Sequence, residues 1–318
     1  MNRRGFLSLT SSLAAHSIAA AEDTTGITFT EEDSRILFRH GSKPVCRYQS
    51  QPGPLPAGVD PSFTRGGYLT DLHTPLGHLI TDDFPPDHLH HHGVWSAWTK
   101  CRWQGRDTDF WNMGQKKGRV DFKAHTKPQH NGPAATLSAQ HVYTDLTSGQ
   151  PLPVLAETWD LTVAILPSTS LPGISLTITQ KVIASEPLEL PKYHYGGLGF
   201  RGHRSWKGTK GCRFLTSEGI TDRIKGNESR ARWCWVGGIT NGSLCGALLA
   251  SHPQNPIHPE PVRLNPTEPF FCFAPPQAGD RSLAPDSLSH SRYLIVPLDG
   301  EPSEASCGAI ARAWANTP

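Results

Sequence analysis

Four of the 16 histidines fall within five residues, in the run Pro85-Pro86-Asp87-His88-Leu89-His90-His91-His92-Gly93. On an extended chain alternate side chains share a side, so His88, His90 and His92 would point one way and His91 the other. An H-x-H pair on a strand can chelate Zn, Cu, Ni or Fe through neutral imidazole nitrogens. The same rings can hold sugar hydroxyls or move protons, because imidazole titrates near neutrality. A histidine-rich loop whose rings bond backbone would do neither. A second cluster is Arg106-Asp107-Thr108-Asp109-Phe110-Trp111-Asn112-Met113-Gly114, with Trp95, Trp98 and Trp103 just before it. Indole faces beside Asp and Asn suit a sugar, the ring packing on C–H groups and the polar groups taking hydroxyls. Each tryptophan taken singly is also a good core residue.

The third segment runs from Leu190 to Arg204 and contains Lys192, Tyr193, His194, Tyr195 and Arg201. Lys192, His194 and Arg201 are suited to an anion or to hydroxyls, although Lys192 fits a solvated strand edge equally well. Gly197, Gly199 and Gly202 satisfy G-x-G-x-x-G. A dinucleotide site is rejected, because no helical pattern follows and no βαβ unit surrounds the motif. The glycines instead let the backbone bend or approach a ligand. Glu157 and Asp160 lie on a strand-like run and could be catalytic carboxylates, but a carboxylate there is expected on the solvent face. G-x-S-x-G, H-E-x-x-H and a P-loop lysine are all missing.

The elements that must position these residues are strands. The chain has 318 residues, with 30 Gly, 28 Pro, 9 Trp and 2 Met, a balance that favours β-strands and turns over helices. Strand-like runs recur at 36–40, 45–49, 93–98, 120–125, 136–144, 155–165, 174–183, 233–239, 244–251, 269–273 and 292–296. In one of them Ile174, Leu176, Ile178 and Gln180 share a face opposite Thr177 and Thr179, which is the period of a half-buried strand. Asn241-Gly242 between two runs predicts a hairpin. The one helix expected is terminal, capped by Ser303 and running over 305–315. Residues 50–66 and 251–269 read as long loops, which are often functional. A dozen or more strands with no βα rhythm predict one large antiparallel sandwich.

Asn2-Arg3-Arg4-Gly5-Phe6-Leu7, a modest apolar stretch and Ala19-Ala20-Ala21 predict a twin-arginine export signal over residues 1–21, with 22–318 as a single β-sandwich domain. The expected location is periplasmic or secreted. Removal of Arg3 and Arg4 with the leader leaves 28 basic against 28 acidic residues. That balance argues against nucleic acid as a partner, which would need a basic stripe. No run reaches the 18 or so apolar residues of a membrane helix, so a soluble chain is expected. The seven cysteines form no C-x-x-C and are odd in number, and most should be small buried hydrophobes.

The run from Thr74 through Asp82-Asp83-Phe84 to Gly93 resembles a family of bacterial exported proteins labelled methane oxygenase PmoA. So do Asp109-Phe110-Trp111-Asn112 and Tyr193-His194-Tyr195-Gly196-Gly197-Leu198-Gly199-Phe200-Arg201. The resemblance covers about residues 30 to 316. It implies a secreted protein of bacteria rich in polysaccharide-degrading systems. The strand count and length also resemble the galactose-mutarotase-like supersandwich, although its catalytic His and late Glu find no match by motif here.

Together these readings predict a carbohydrate-active protein, an epimerase, lyase or hydrolase, with a site on a concave sheet. His90, His92 and His194 are the expected acid–base groups. Asp109, Trp111, Tyr193 and Arg201 are the expected substrate contacts, Trp111 by stacking. The alternatives are a sugar-binding sandwich without chemistry and a metal-dependent oxygenase or hydrolase on His88, His90 and His92. No cofactor other than that metal is called for. A small-molecule or oligosaccharide substrate is the partner expected.

Overall fold

The computed structural model describes residues 26–167 and 169–317; the export signal expected over 1–21 lies outside them. Two nine-stranded sheets dominate. The first runs, in spatial order, Ile27–Glu32, Arg35–His40, Lys43–Gln49, Tyr68–Thr70, Val94–Ala97, Gly197–Arg201, Phe270–Phe273, Glu260–Leu264 and Arg230–Ala231. The second runs Arg213–Thr216, Trp233–Thr240, Ser243–Ser251, Leu288–Asp299, Pro172–Val182, Leu152–Ile165, Ala134–Asp145 and Gly118–His125, with Gln129–Asn131 added on Ala134–Asp145. The long ladders are antiparallel. A smaller sheet joins Arg281–Leu283, Leu188–Leu190, Cys101–Trp103 and Arg106–Thr108. The chain is an all-β sandwich with a short C-terminal helix, as composition and periodicity predict.

The alternation read at 174–180 sets the core. Ile174, Leu176 and Ile178 are buried while Ser175, Thr177 and Thr179 are not. They pair with Val163, Leu161 and Trp159 on the neighbouring strand. This face packs against Phe38, Leu69, Val94, Leu198, Phe200, Phe271 and Phe273 of the first sheet. Each such side chain contributes roughly 1.5–3 kcal/mol of burial, so the sandwich interior is the main source of stability. The hairpin forms as predicted: Thr240 faces Ser243, and Asn241 and Gly242 take φ of 51° and 79°. Both values are those of a type I′ turn, which matches the twist of the strands it joins.

The helix spans Glu304–Ala315, and Ser303 Oγ accepts from the Ser306 amide at 3.1 Å. It lays Cys307 and Trp314 on the outer side of the second sheet, against Trp233, Trp235, Leu248 and Leu294. All seven cysteines are buried and unpaired. Among the described residues no helix is long and apolar enough to cross a membrane. The expected loop at 251–269 contains the strand Glu260–Leu264, which the flanking prolines disguise.

The outer face of the first sheet carries the site. On Gly197–Arg201, Leu198 and Phe200 enter the sandwich core, which turns Gly199 and Arg201 to the other face. Tyr68, Trp95 and Phe270 belong to that outer face and pack with Trp111 in a second apolar cluster.

Candidate functional site

The histidine run is not a strand. Pro85 and Pro86 lack the N–H groups a ladder needs. The chain instead makes two successive turns, with the His88 amide donating to Pro85 O at 2.9 Å and the His91 amide to His88 O at 2.8 Å. The expected alternation is therefore replaced by a knot of rings. His88, His90 and His91 face one another, with centroids 5.9 Å (88–90), 4.7 Å (88–91) and 4.6 Å (90–91) apart. His92 turns away and stacks on Tyr68 at 4.1 Å. Its Nδ1 lies 2.7 Å from Asp83 Oδ1, and Asp83 Oδ2 accepts from Tyr68 Oη at 2.9 Å.

His91 rests on Phe270 at 4.8 Å and Trp95 at 5.0 Å, and Trp95 packs on Trp111 at 4.8 Å. This aromatic floor needs Gly199. A Cβ there would stand 2.8 Å from Trp111 Cη2 and 2.9 Å from Trp95 Cζ2. Within the G-x-G-x-x-G pattern, Gly199 and Gly202 thus make room for tryptophans, Trp95 and Trp111 at the first and Trp206 at the second. Beneath the knot, buried Arg201 donates from Nη2 to Glu268 at 3.0 Å and to Asp87 at 3.4 Å. Its Nη1 lies 3.4 Å from His91 Nδ1. Lys207 binds Asp87 and stands 3.6 Å from Glu268.

Above the floor is a pocket of about 250 Å³ lined by His88, His90, His91, Asn112, His194, Tyr195, Arg263, Asn265 and Phe270. Burial, aided by the neighbouring His88, pushes the His90 imidazole down to about 3. Burial also holds His91 well below its ordinary value, and burial with the Arg263 charge lowers His194. These rings are neutral at pH 7, so each offers one N–H donor and one lone pair. Burial raises the Tyr195 phenol, which keeps its proton, and Asn112 Nδ2 donates to it at 3.1 Å. The pocket can therefore give and receive hydrogen bonds around a polar, uncharged ring. His194 is also part of the wall of a second cavity of about 440 Å³, with Lys192, Tyr193, Glu228, Arg230, Pro261 and Gln277.

A larger cavity, about 600 Å³, lies between the C-terminal helix and the second sheet. Its walls hold Arg232, Arg312, Glu304 and one imidazole, His258, among alanines and a glycine. Ser217, Ser251 and Trp233 also line it. The histidine pocket is the stronger candidate because four imidazoles, two amides and a phenol converge there on a smaller volume.

The structure brings His90 and His194 to one pocket and Tyr193 to the adjoining one, 4.2 Å from His194. It does not bring the others. His92 is fully buried and faces Asp83. Trp111 is fully buried, so it supports the floor instead of stacking on a ligand. The Asp109 carboxylate accepts from the Trp111 and Asn112 amides at 2.9 and 2.8 Å and from Asn112 Nδ2 at 2.7 Å. It shapes the turn that presents Asn112. Arg201 lies under the pocket, tied to carboxylates. The metal set His88, His90 and His92 is not assembled either. Among the described residues the ligand atoms that lie within 4.8 Å of one another belong to Asp87, His88 and Glu268. Two of these three already neutralise Arg201 and Lys207.

Sequence reasoning points to Asn112 only as part of its cluster and misses Tyr195, Arg263, Asn265 and Phe270 as pocket residues. Asn112 and Tyr195 adjoin residues that were singled out, whereas Arg263 and Asn265 sit in the segment read as loop. It also missed a buried polar network between the sheets. Glu157 accepts from Tyr143 Oη at 2.8 Å, Gln180 Nε2 at 2.7 Å and Ser96 Oγ at 3.3 Å, and lies 3.1 Å from His141 Nδ1. His141 Nε2 meets Tyr48 Oη at 2.8 Å, and buried Arg65 donates to Ser96 O at 2.8 Å. The carboxylate expected at the solvent face is 2% exposed.

A family model matches residues 35–313. The chain belongs to DUF6807, a family of unknown function. The methane oxygenase label is not part of that description. No curated protein sequence matches this DUF6807 chain. Among solved structures it is similar to a galactose mutarotase-like protein from Clostridium acetobutylicum, at 11% identity and a TM-score of 0.46, covering 87% of this chain and 100% of that one. It is also similar to a heparan sulfate lyase from Pedobacter heparinus, at 9% identity and a TM-score of 0.38, covering 89% of this chain and 37% of that one. The DUF6807 chain thus spans little more than a third of the lyase.

Proposed function

We propose that this DUF6807 chain is a carbohydrate-active enzyme that holds a sugar in the histidine pocket and moves protons on it. One observation carries the reading: the pocket is lined by four imidazoles, two amides, a phenol and the Arg263 guanidinium over an aromatic floor, with no carboxylate among the lining residues. Hydrolysis by paired carboxylates has no pair to use there. Epimerisation or elimination needs one group to take a proton and one to give it, which imidazole and phenol supply. His90, held neutral far below pH 7, is a weak base and orients hydroxyls. His194 and Tyr195 are the proton carriers in this reading. His92 is a positioning residue, fixed by Asp83 behind the knot.

The test is a panel of free sugars and disaccharides incubated with the protein in D2O and followed by NMR. The expected result is deuterium incorporation or a new double bond in one sugar, lost in His194→Ala and weakened in His90→Ala. Turnover unchanged in both variants would overturn the assignment, and a sugar that binds but is never altered would make the chain a binding module. A second reading has one observation behind it, the approach of Asp87, His88 and Glu268. It predicts about one metal per chain by elemental analysis, absent from His88→Ala. We also propose, from the expected leader over residues 1–21 with Arg3 and Arg4, that the protein is periplasmic or secreted. Retention of an Arg3→Lys/Arg4→Lys variant in the cytoplasm while the unaltered chain is exported would support that reading. Finding the unaltered chain in the cytoplasm would end it, and normal export of the variant would end only the twin-arginine route.

A further inference from the structure

We infer that the sugar bound here is anionic, carrying a carboxylate or sulfate group that lies in the second cavity while its reacting ring occupies the histidine pocket. The inference rests on the sugar-binding reading above. His194 is common to the walls of both cavities, so they adjoin, and in this inference they act as one cleft for two linked units. Three cations line this cleft, Lys192 and Arg230 in the outer cavity and Arg263 in the inner one, against a single carboxylate, Glu228. Among the described residues none of the three has an ion-pair partner. By contrast Arg201 is neutralised by Glu268 and Asp87, and Arg204 by Asp82.

Both cleft guanidiniums are instead held by neutral acceptors. Arg263 Nη1 donates to Asn227 Oδ1 at 3.0 Å, and Arg230 Nη1 donates to Pro259 O at 2.8 Å. Each is thereby fixed in direction with its charge left over. A fixed guanidinium fork is suited to bidentate recognition of a carboxylate or sulfate. In a chain with almost no net charge, an excess of two positive charges around one cleft points to a ligand that brings the missing negative charge. The imidazoles, amides and phenol of the inner pocket would take the uncharged hydroxyls.

The experiment is a titration of the full chain with three sugars that share one ring: the neutral sugar, its uronate and its O-sulfate ester. Each is measured with wild type and with the Lys192→Ala/Arg230→Ala variant, whose substituted side chains are exposed. We expect a charged form to bind about tenfold more tightly than the neutral one, the scale of one charge-assisted hydrogen bond. The advantage should disappear in the double variant and at about 0.5 M salt, where screening lengths fall to a few ångströms. Preference for the uronate or for the ester would tell which anion is read, and either supports the inference. Equal binding of all three, unchanged in the variant, would overturn the anionic assignment and leave the sugar reading standing. Failure of every sugar to bind would overturn both.

Discussion

Two clusters in this fold are built from nearly the same side chains. On the outer face of the first sheet, His88, His90 and His91 gather above Arg201, Glu268 and Asp87, beside Tyr195. Between the sheets, His141 meets Glu157, Tyr48 and Tyr143 near Arg65. The interior cluster spends its hydrogen bonds on itself: three donors and an imidazole converge on one carboxylate. The outer cluster pairs its charges below and leaves imidazole rings facing a pocket. Residue type therefore does not separate a site from a structural network here. What separates them is whether polar atoms remain unspent where a ligand can reach. A buried network of this kind holds the two sheets in one arrangement only if every member stays satisfied.

The comparison can be broken most easily at Glu157. Glu157→Ala removes the shared acceptor of Tyr143, Gln180 and Ser96 and should cost ~3–5 kcal/mol in denaturant unfolding, the range for breaking a buried charged network. Loss of sugar binding with unchanged stability would exchange the roles of the two clusters. Gly199→Ala comes next. Its Cβ must displace Trp111 or Trp95, so a loss of ~1–3 kcal/mol and an altered near-UV tryptophan signal are expected. His90→Ala should have a smaller effect on stability, within ~1 kcal/mol for a ring at the pocket surface that is only partly buried, yet weaken sugar affinity roughly tenfold.

The smallest effect is on pH dependence, and it sharpens the contrast. His90 titrates at about 3 in the folded chain and His91 also lies well below its ordinary value. Between roughly pH 6.5 and the folded values the unfolded chain binds more protons, so these rings cost stability as pH falls through that window. Glu260 behaves oppositely. Buried, it is raised to about 7, so its contribution is lost as pH rises from about 4.5 to 7. Thermal scans of His91→Asn should lose less stability on acidification than wild type, and Glu260→Gln should lose less on approach to neutrality. Parallel curves for all three proteins would contradict both shifts.

Much of the frame was legible in the sequence. Alternation at 174–180, Asn241-Gly242 and Ser303 each specify local geometry that packing then keeps. The site was legible in composition but not in arrangement. Period two failed at 88–92 because two prolines and two backbone turn bonds override it. Asp109 and Trp111 were singled out for chemistry their neighbours had already claimed, the carboxylate by two amides and the indole by Trp95. Glu157 could not be read as buried without knowing that Tyr143, Gln180 and Ser96 lie on strands that converge on it. Arg263 and Asn265 were hidden by prolines at 259, 261 and 266, which make a strand and its exit look like loop.

The most direct measurement is hydrogen exchange of the full chain with and without the sugar that binds it best. The account predicts slowed exchange in the peptides covering 86–92, 110–113, 192–196 and 262–266, and no change over 141–159. Protection confined to 304–315 and 232–234, around the larger cavity by the C-terminal helix, would contradict it.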